Sequence, residues 1–571
     1  MTIKKTPEIA VIGIDGGTWD LILPWAEQGL LPNFGRLVKE GSRGNLQSTI
    51  PPVTAPSWTS FMTGKNPGKH GLYDFFETDY DTYKINYTCA SSCKAKTLWK
   101  ILSDRGKRVG VINVPMTYPP EEVSGYMISG MDTPDVDSPF IYPSSLKEEI
   151  WKNVGEIRLD IHHLGYMNND RKRSKVLKEL IDLEKSRLKL ILYLLEKHPV
   201  DVFMVVFNAT DQVQHHFWHY MDSTHHYFDE KAAKAFGTAV FRIYQCIDDI
   251  LGILLRTFPE ETNIVLMSDH GFGPTSPRFF YVNRYLEKIG ILSVKSTEKS
   301  ISGTFSTLMG RVDSFLRSNL TPDLKRKIAK LFPRARAKLE SYLFFSMLDW
   351  SKTKAYAIEI SPTSPTIWVN LEGRNHEGIV KQKEYNDVVE FIRQSLYALK
   401  DPLDGSQIVS KVYRKEEIYH GKERDKAPDL ILSWWDGKGF TVKQSYPRFS
   451  DKDNSIVEYH SGVMRGGKDW SGTHTLNGMF LFYGKHIERG KRIEGANIFD
   501  LAPTILYLLK EAVPDDMDGV VLTEIFEKSK EGLDPVGYKS VPPDNDDKTV
   551  SAYSEEDRLK IRKRLQGLGY L

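Results

Sequence analysis

An α/β fold with a mostly parallel central sheet and helices on both faces is what this 571-residue chain predicts. Short apolar runs rich in β-branched residues alternate with longer amphipathic stretches, and that alternation is typical of α/β proteins. The apolar runs have the continuous hydrophobicity of strands that are buried on both faces. The segments that we predict as strands are EIAVIGI, KRVGVINVP, VDVFMVVFN, TNIVLMSD, SPTIWVNL, APDLILSW and GMFLFYG.

Two stretches between the predicted strands have the apolar spacing of helices, SKVLKELIDLEKSRLKLILYLLEKH and VFRIYQCIDDILGILLRTF. From about residue 294 to 345 the alternation stops, because the sequence there is helical and basic and contains no strand-like run. We predict a surface helical insertion. It could act as a lid or as a peripheral contact for an anionic surface such as a membrane, although such charge runs are more often solvated helix faces.

Residues 531–571 differ in composition from residues 1–530, which we expect to form one large domain. Their first part, EGLDPVGYKSVPPDNDDKTVSAY, is polar and proline-rich, which is typical of a linker. The remainder, SEEDRLKIRKRLQGLGYL, predicts a C-terminal helix that is capped by Ser554, with Asp557 three residues further on.

Composition places the chain among ordinary globular proteins, with 40% hydrophobic and 27% charged residues. The net charge of +2 gives no electrostatic reason to expect specific nucleic-acid binding. Three cysteines are too few for a disulfide framework, and Cys89 and Cys93 have no second pair with which to form a zinc ribbon. We interpret this as a sign of a reducing compartment.

The N-terminal apolar run from Ile9 to Ile14 stops at Asp15, and no small-residue cleavage site follows it. We therefore interpret this run as a buried strand and not as a signal peptide. No run elsewhere approaches the roughly 20 apolar residues that a transmembrane helix needs. We expect a cytoplasmic protein without a transmembrane segment.

Three of the predicted strands run into an aspartate, namely Asp15, Asp211 and Asp269. An aspartate after a strand is, on its own, common turn chemistry. In α/β sheets, however, ligand sites form beyond the carboxyl ends of the strands. The three carboxylates are therefore candidates for one shared site.

Histidines accompany these aspartates. His215 follows Asp211 by four residues, which places both side chains on one face if a helix begins there. His270 follows Asp269 directly, and the glycine after it permits a tight turn. His474 lies in WSGTHTLNGMF, which we predict as a glycine-flanked loop just before a strand. Oxygen and nitrogen ligands without cysteine suit zinc or manganese, and these groups are enough for two ions.

The stretch IPPVTAPSWTSFMTGKNPGKHG places Thr54 at the predicted start of a helix, where it could simply act as a cap. Close carboxylates repel one another unless cations compensate them, so two divalent metals would make a phosphoryl-transfer site plausible here. A threonine hydroxyl is a poor nucleophile unless a base or a metal removes its proton. At a helix N-terminus beside a metal, Thr54 would be activated, and backbone N–H groups could hold phosphate oxygens.

Taken together, the motifs resemble the alkaline phosphatase superfamily, and above all its type I phosphodiesterase/nucleotide pyrophosphatase branch. In that branch Thr-x-Pro opens the nucleophile helix, as Thr54-Ala55-Pro56 does here, and Thr-Gly…Pro…His-Gly closes the segment. The stretch FDLAPTILYLLKEAVPDDMDGVVL is also similar, so that the resemblance spans roughly residues 8–523. It implies an alkaline-phosphatase-like catalytic domain over residues 1–530, which includes the helical insertion.

The resemblance also implies a metal-dependent phosphoester hydrolase that acts through a covalent phosphothreonine on Thr54. Two divalent cations are implied, Zn²⁺ in the first place and Mn²⁺ as the alternative. Carried over by position, the ligands of one metal would be Asp15, Thr54, Asp269 and His270. The ligands of the other would be Asp211, His215 and His474. The substrate would be a small phosphorylated compound, such as a nucleotide or another phosphodiester.

Two positions depart from the pattern of the branch. Ser57 stands where an asparagine is usual, which bears on how phosphate oxygens are held, and we keep it as a candidate substrate-binding residue. Gln214 stands where a glycine usually precedes the histidine of the metal motif. His216 and His219 lie close to that motif, and we interpret them as mere neighbours rather than as groups that orient the ligands.

The same residues bear on other activities of the superfamily. Sulfatases use a modified cysteine or serine in a C/S-x-P-x-R signature, which TAPSW lacks. A phosphomutase or phosphotransferase on the same site stays an alternative, since it would hand the phosphoryl group to a second acceptor. A non-catalytic binding protein that retains the fold is a further alternative. However, a site that has lost its activity has no physical reason to keep all seven candidate ligands.

Overall fold

The structure is a computed structural model, and it describes residues 7–161, 164, 167, 169–295, 345, 347–359, 365–434, 439–442, 445, 455–459, 470–527, 534–540 and 553–568. The described strands are β1 Ile9–Ile14, β2 Ser42–Gln47, β3 Phe76–Asp79, β4 Lys84–Tyr87, β5 Val109–Ile112, β6 Gly125–Ile128, β7 Ile141–Tyr142, β8 Val202–Phe207, β9 Asn263–Met267, β10 Gly271–Pro274, β11 Arg278–Phe280, β12 Ala355–Ala357, β13 Thr366–Val369, β14 Lys411–Arg414, β15 Leu430–Ser433, β16 Thr441–Val442, β17 Val457–Tyr459, β18 Gly472–Thr475, β19 Asn477–Tyr483, β20 Arg492–Asn497, β21 Val513–Pro514 and β22 Tyr538–Lys539. The described α-helices are α1 Trp19–Glu27, α2 Pro32–Glu40, α3 Thr54–Thr63, α4 Pro67–His70, α5 Leu98–Asp104, α6 Leu146–Asn153, α7 Asp170–Lys197, α8 Ala209–Met221, α9 Glu230–Phe236, α10 Ala239–Thr257, α11 Val282–Lys288, α12 Tyr385–Ala398, α13 Lys415–Ile418, α14 Leu501–Leu508 and α15 Glu555–Leu568.

A nine-stranded sheet forms the centre of the fold, in the order β20-β2-β19-β9-β1-β8-β5-β6-β7. Strand β1 pairs in parallel with β8 on one side and with β9 on the other, so that Ile9 stands opposite both Val202 and Asn263. Strand β19 is antiparallel to β2 and β9, and β7 is antiparallel at the edge. The other pairings are parallel. The prediction of a mostly parallel α/β sheet is confirmed.

Burial accounts for the apolar sequences of the three central strands β1, β8 and β9. Strands β1 and β8 are buried at every position, and β9 is buried at every position but its first. Continuous apolar runs are what a strand needs when helices cover both faces of a sheet. Helices α1, α2 and α7 to α10 pack in one connected group, and α3, α5 and α14 pack in another. Their apolar side chains and those of the strands form the main hydrophobic core.

Two of the predicted strands lie outside the central sheet. SPTIWVNL and APDLILSW become β13 and β15 of a four-stranded sheet with antiparallel pairings, in the order β12-β13-β15-β14. This sheet and α12 share a second hydrophobic core. Because β13 and β15 are also buried on both faces, their apolar runs do not differ from those of the parallel strands.

The C-terminal tail contains short elements that pack on the main body. Strand β22 pairs in parallel with β21. The backbone N–H of Asp557 donates to Ser554 Oγ at 3.2 Å at the start of α15, and Lys560 lies 2.7 Å from Asp135. The rest of the predicted linker and insertion, including residues 296–344 and 541–552, lies outside the described residues. Within the described ranges, no helix combines the length and the apolar character needed to cross a bilayer.

The second core contains a buried ion-pair network. Asp429 is fully buried and accepts hydrogen bonds from Tyr385 Oη at 2.8 Å and Lys415 Nζ at 2.9 Å. It also accepts one from Arg374 at 3.0 Å. Burial is the largest influence and would raise the pKa of Asp429, but the charges and hydrogen bonds of Arg374 and Lys415 together outweigh it and hold this pKa below its usual value. The carboxylate is therefore ionised and depends on its cationic partners.

We expect Arg374→Met to destabilise this core by about 3 kcal/mol, because removal of one partner leaves a buried charge poorly compensated. Arg393→Met is the matched control, since Arg393 pairs with Glu417 near the surface and its loss should cost below about 1 kcal/mol. Urea unfolding followed by tryptophan fluorescence measures both variants. Equal stability of the two variants would contradict this expectation.

Candidate active site

Three aspartates lie side by side at the carboxyl edge of the central sheet. Asp15 follows β1, Asp269 follows β9, and Asp211 lies in the first turn of α8, which follows β8. Because β1 pairs in parallel with both β8 and β9, these three strand ends are neighbours. The three side chains are at most 1% exposed. The carboxylates therefore converge, as the sheet order requires.

Helix α8 presents Asp211 and His215 one turn apart, with His215 Nε2 3.3 Å from Asp211 Oδ1. Two hydrogen bonds tie this helix to the loop after β1. Thr210 Oγ1 donates to the backbone carbonyl of Asp15 at 2.6 Å, and Gln214 Nε2 donates to that of Gly16 at 2.9 Å. Gln214, which stands where the resemblance leads one to expect a glycine, thus helps to hold the helix in place.

His474 lies in β18, which pairs in antiparallel with β10 so that Phe272 stands opposite His474. The prediction of a loop at this position is wrong. The glycine in WSGTH is typical of loops, and the partner strand lies in a distant part of the chain that no local pattern identifies. The imidazole of His474 stacks on that of His270, with ring centroids 3.5 Å apart. Strand pairing therefore delivers His474 to the carboxylates.

A first group of side-chain ends surrounds His270. Its Nε2 lies 3.2 Å from Asp269 Oδ2 and 3.8 Å from Asp15 Oδ1. The Thr54 hydroxyl is 3.3 Å from the same nitrogen. Ligand atoms of Asp15, Asp269 and His270 all lie within 4.8 Å of one another, which is close enough for them to share a metal ion.

A second group adjoins the first. His474 Nε2 lies 3.1 Å from His215 Nε2 and 3.4 Å from Asp211 Oδ1. Ligand atoms of Asp211, His270 and His474 also lie within 4.8 Å of one another, so His270 borders both groups. The structure thus brings together all seven residues that the sequence analysis singles out as ligands.

The three histidines present the same nitrogen to the carboxylates. Nδ1 of His215, His474 and His270 each donates to a backbone carbonyl, at 2.8, 2.9 and 3.1 Å respectively. A neutral imidazole that donates from Nδ1 has a lone pair on Nε2. Two such lone pairs 3.1 Å apart repel one another unless a cation lies between them. Ligand nitrogens of a tetrahedral zinc ion are separated by about 3.3 Å for bonds of about 2.0 Å, so the donor set fits a metal.

Thr54 is the first residue of α3, and the capping position belongs to Val53, whose side chain makes no cap hydrogen bond. The interpretation of Thr54 as a simple helix cap is therefore wrong. Its side chain is completely buried. The hydroxyl lies both beside the metal-ligand candidates and at the N-terminus of a helix, where unpaired N–H groups favour negative charge.

Burial makes the carboxylates difficult to ionise together. Burial, followed by the charges of Asp269 and Asp211, raises the pKa of Asp15 well above its usual value. Burial and the charge of Asp211 raise the pKa of Asp269 to about 8. Both carboxylate oxygens of Asp15 and one of Asp269 accept no hydrogen bond from the described residues. A bound cation would satisfy these oxygens and relieve the repulsion, which again fits a metal.

Ser57 lies in the first turns of α3, and its hydroxyl is already engaged. Its Oγ is 2.9 Å from Ser48 Oγ and 2.8 Å from Thr49 Oγ1. Ser48 donates its own proton to the backbone carbonyl of Asp269 at 2.5 Å. Ser57 therefore belongs to a chain of hydroxyl groups that reaches the backbone of a ligand candidate. Its role in substrate binding stays a prediction.

Three residues that hold His215 are not among those predicted from the sequence. Trp470 stacks on the imidazole with ring centroids 3.6 Å apart. Ser471 donates to the His215 carbonyl from its backbone N–H at 2.7 Å and from Oγ at 3.1 Å. His225 Nε2 in turn donates to the Ser471 carbonyl at 2.9 Å. Trp470 and Ser471 directly precede the GTH sequence that contains His474, and this proximity is the one feature of the sequence that points to them. No local pattern marks His225.

Comparison with known families identifies the class of this site. The family described as type I phosphodiesterase/nucleotide pyrophosphatase matches residues 9–467, and the chain belongs to this family. The resemblance drawn from the motifs is confirmed, and the chain is placed among the enzymes that hydrolyse phosphoric esters. A search of curated proteins found no match.

Solved structures are similar along most of the chain. Human ectonucleotide pyrophosphatase/phosphodiesterase 5 is 14% identical, with 91% of this chain and 100% of that chain covered and a TM-score of 0.48. An inactive variant of the murine enzyme in complex with AMP is 14% identical, with 89% and 96% covered and a TM-score of 0.44. Phosphonoacetate hydrolase from Sinorhizobium meliloti 1021, in complex with phosphonoformate, is 15% identical, with 88% and 96% covered and a TM-score of 0.50. The last of these supports the fold.

His70 closes the segment that begins with Thr54, and it is completely buried. The Leu72 backbone N–H donates to His70 Nδ1 at 3.2 Å, so Nε2 carries the ring proton and donates to Ser60 Oγ at 2.9 Å. A second ring proton would face the N–H of Leu72. Burial lowers the pKa of His70 from 6.5 to about 3.

Acid should therefore destabilise the protein through His70. The unfolded chain binds a proton at this residue below about pH 6.5, whereas the folded protein does so only near pH 3, so stability falls as the pH decreases through this window. At pH 5 the loss relative to pH 8 is about 2 kcal/mol. His70→Gln should lack this loss, because its amide does not titrate. Urea unfolding at both pH values measures the difference, and identical pH dependence of the two proteins would refute the assignment.

Proposed function

We propose that this chain is a two-metal phosphodiesterase or pyrophosphatase that acts through a covalent phosphothreonine on Thr54. Zinc is the proposed metal, with manganese as the alternative. The proposed ligands of one ion are Asp15, Thr54, Asp269 and His270. The proposed ligands of the other ion are Asp211, His215 and His474.

The shared orientation of the three histidines carries this proposal. His215, His270 and His474 each bond a backbone carbonyl through Nδ1 and direct Nε2 towards a buried carboxylate. A histidine with a structural role commonly uses both ring nitrogens in hydrogen bonds, as His70 does. Three Nε2 lone pairs that face buried carboxylates are unfavourable without cations, and a metal centre supplies them.

The proposed reaction proceeds in two displacements. When bound, the two ions supply positive charge that lowers the pKa of the Thr54 hydroxyl and offsets charge on the phosphoryl group. Thr54 Oγ loses its proton and forms a bond to phosphorus, while the bond from phosphorus to the leaving alcohol breaks and the alcohol gains a proton. Water then forms the new bond to phosphorus, and Thr54 leaves and regains its proton. The first N–H groups of α3 orient phosphate oxygens during both steps.

The proposed substrate class is a phosphodiester, because the family is described as phosphodiesterases and nucleotide pyrophosphatases. A nucleotide is one member of that class. We also propose a cytoplasmic location, which is supported by the fact that Cys89, Cys93 and Cys246 form no disulfide.

Thr54→Ala should lower turnover of bis-p-nitrophenyl phosphate by about 10³-fold or more, because it removes the nucleophile. Thr54→Ser should retain measurable turnover, since it keeps a hydroxyl group. Thr63→Ala is the matched control on the same helix, because the Thr63 hydroxyl donates to the backbone carbonyl of Thr59 within α3. Acid quenching and mass spectrometry should locate phosphate on Thr54. Undiminished turnover by Thr54→Ala would exclude the proposed mechanism, and faster cleavage of p-nitrophenyl phosphate would favour a monoester or mutase activity.

Asp269→Asn and His215→Ala should each reduce the metal content from about two ions per chain to about one, because each removes a proposed ligand. Mass spectrometry of metals after dialysis against a weak chelator measures the content. His70→Gln, a buried histidine outside the two ligand groups, should keep both ions. Full metal content together with full activity in Asp269→Asn would show that this ligand assignment is wrong.

A further inference from the structure

A cavity lies between helix α7, the segment after α6 and the carboxyl ends of β5 and β6. Its volume is about 50 Å³. A water molecule needs roughly 10–15 Å³ of such space, so the cavity holds about four or five non-hydrogen atoms. Apolar side chains form most of its wall, namely those of Ile112, Ile128, Val154, Ile157, Leu159 and Leu190. The cavity therefore has the size of one small ion or of one end group of a larger molecule.

This cavity lies beside the candidate metal centre and shares none of its residues. Ile112 is the last residue of β5 and Ile128 the last of β6. In the central sheet these two strands follow β8, the strand that leads to Asp211. Neighbouring strands are about 4.8 Å apart, so the cavity begins roughly one strand spacing from the end of β8. The carboxyl ends of strands are where ligands bind in α/β sheets, and the position therefore suits a ligand site.

Arg187 contributes unused hydrogen-bond donors to the wall of this cavity. The residue is only 5% exposed, and Nη1 donates to Glu184, which is its one hydrogen bond with the described residues. Nε and Nη2 carry three further N–H groups. These two nitrogens form the planar edge of a guanidinium that can bind two oxygens of one carboxylate or phosphate. The cavity thus contains a buried cation with a free binding edge.

The other polar side chains of the wall donate to the backbone. Ser129 and Ser186 each donate from Oγ to a carbonyl group at 2.7 Å. Asn113 Nδ2 donates to a carbonyl group at 2.8 Å, and Lys189 Nζ donates to another at 2.7 Å. An occupant of the cavity would therefore receive its hydrogen bonds mainly from Arg187.

The charges around the cavity leave an excess of one positive charge. The cations in the wall are Arg187, Arg158 and Lys189, and the carboxylate in the wall is Glu156. Glu184, the fully buried partner of Arg187, supplies a second negative charge. Its other oxygen already accepts from the first backbone N–H of α8 at 2.9 Å. Three cations against two carboxylates leave one charge that a bound anion would balance.

We propose that this cavity binds an oxyanion group, a carboxylate or a small tetrahedral anion, through the free edge of Arg187. Charged hydrogen bonds of this geometry are about twice as strong as neutral ones, whereas an apolar occupant would leave the guanidinium donors unpaired. The group belongs either to a free anion or to an anionic end of the substrate. Glu184 connects Arg187 to the start of α8, the helix that carries Asp211. The anion site does not depend on the proposed function.

Selenate tests this proposal, because it is a tetrahedral oxyanion of about the right size and mass spectrometry quantifies its selenium. Equilibrium dialysis of the zinc-loaded full-length protein gives the dissociation constant for each bound selenate. Arg187→Lys keeps a positive charge beside Glu184 but loses the two-nitrogen edge, so one selenate should bind about tenfold or more weakly than in the wild type. Arg393→Lys, a matched change in an ion pair near the surface, should leave all constants unchanged.

Equal selenate binding by Arg187→Lys and the wild type, or no binding by the wild type, would overturn the proposal. Ile157→Trp decides the question if Arg187→Lys does not fold. The larger side chain fills the cavity from the segment after α6 and leaves the pair of Arg187 and Glu184 in place. This variant should also lose the selenate that is bound in the cavity, and unchanged binding would again contradict the proposal.

Two p-nitrophenyl diesters, one of 4-hydroxybutyrate and one of its amide, distinguish the two sources of the anion. If the substrate supplies the group, kcat/KM should be about tenfold or more higher for the carboxylate, and Arg187→Lys should remove this preference. Equal kcat/KM values, together with weaker selenate binding by Arg187→Lys, would identify a free anion. If neither diester is hydrolysed, the proposed function fails, whereas selenate binding still decides whether the anion site exists.

Discussion

Parallel pairing of β1 with both β8 and β9 is the constraint on which the site depends. It fixes three strand ends side by side, so Asp15, Asp211 and Asp269 cannot move apart without disruption of the sheet. The neighbouring strand β19 runs in the opposite direction, with Phe480 opposite Met267. Its first residues therefore lie beyond the carboxyl end of β9, which is why the segment just before β19 can reach the carboxylates.

The orientation of the imidazoles depends on the same framework. The carbonyl groups that fix His215 and His474 belong to Gly472 and Pro52, which lie in β18 and in the segment before α3. Trp470 and Ser471 then hold His215 from the other side. Loss of the pairing between β10 and β18 would therefore misorient one candidate ligand and displace another. The short strand β18 therefore both orients His215 through the Gly472 carbonyl and supplies the candidate ligand His474.

Local patterns in the sequence predict much of this arrangement. Aspartates after buried strands and the four-residue spacing of Asp211 and His215 are visible without a structure, because strand ends and helix turns follow from nearby residues. The strand character of the His474 segment is not visible, because its partner β10 is remote in the chain. The separate sheet of β13 and β15 is equally hidden, since burial on both faces produces the same apolar run in either sheet. Buried oxygens without a hydrogen bond, such as those of Asp15, can be recognised only once the packing is known.

The pairing of β10 with β18 has a consequence for the order in which the protein is made. The two strands are separated by about 200 residues, so at roughly 5–20 residues per second β18 leaves the ribosome about 10–40 s after β10. During that interval the carboxylate cluster can form, but His474 has not yet been synthesised. The nascent chain therefore passes through a stage in which most of the site is present and open on one side. Closure of the centre is a late event in the biosynthesis of this protein.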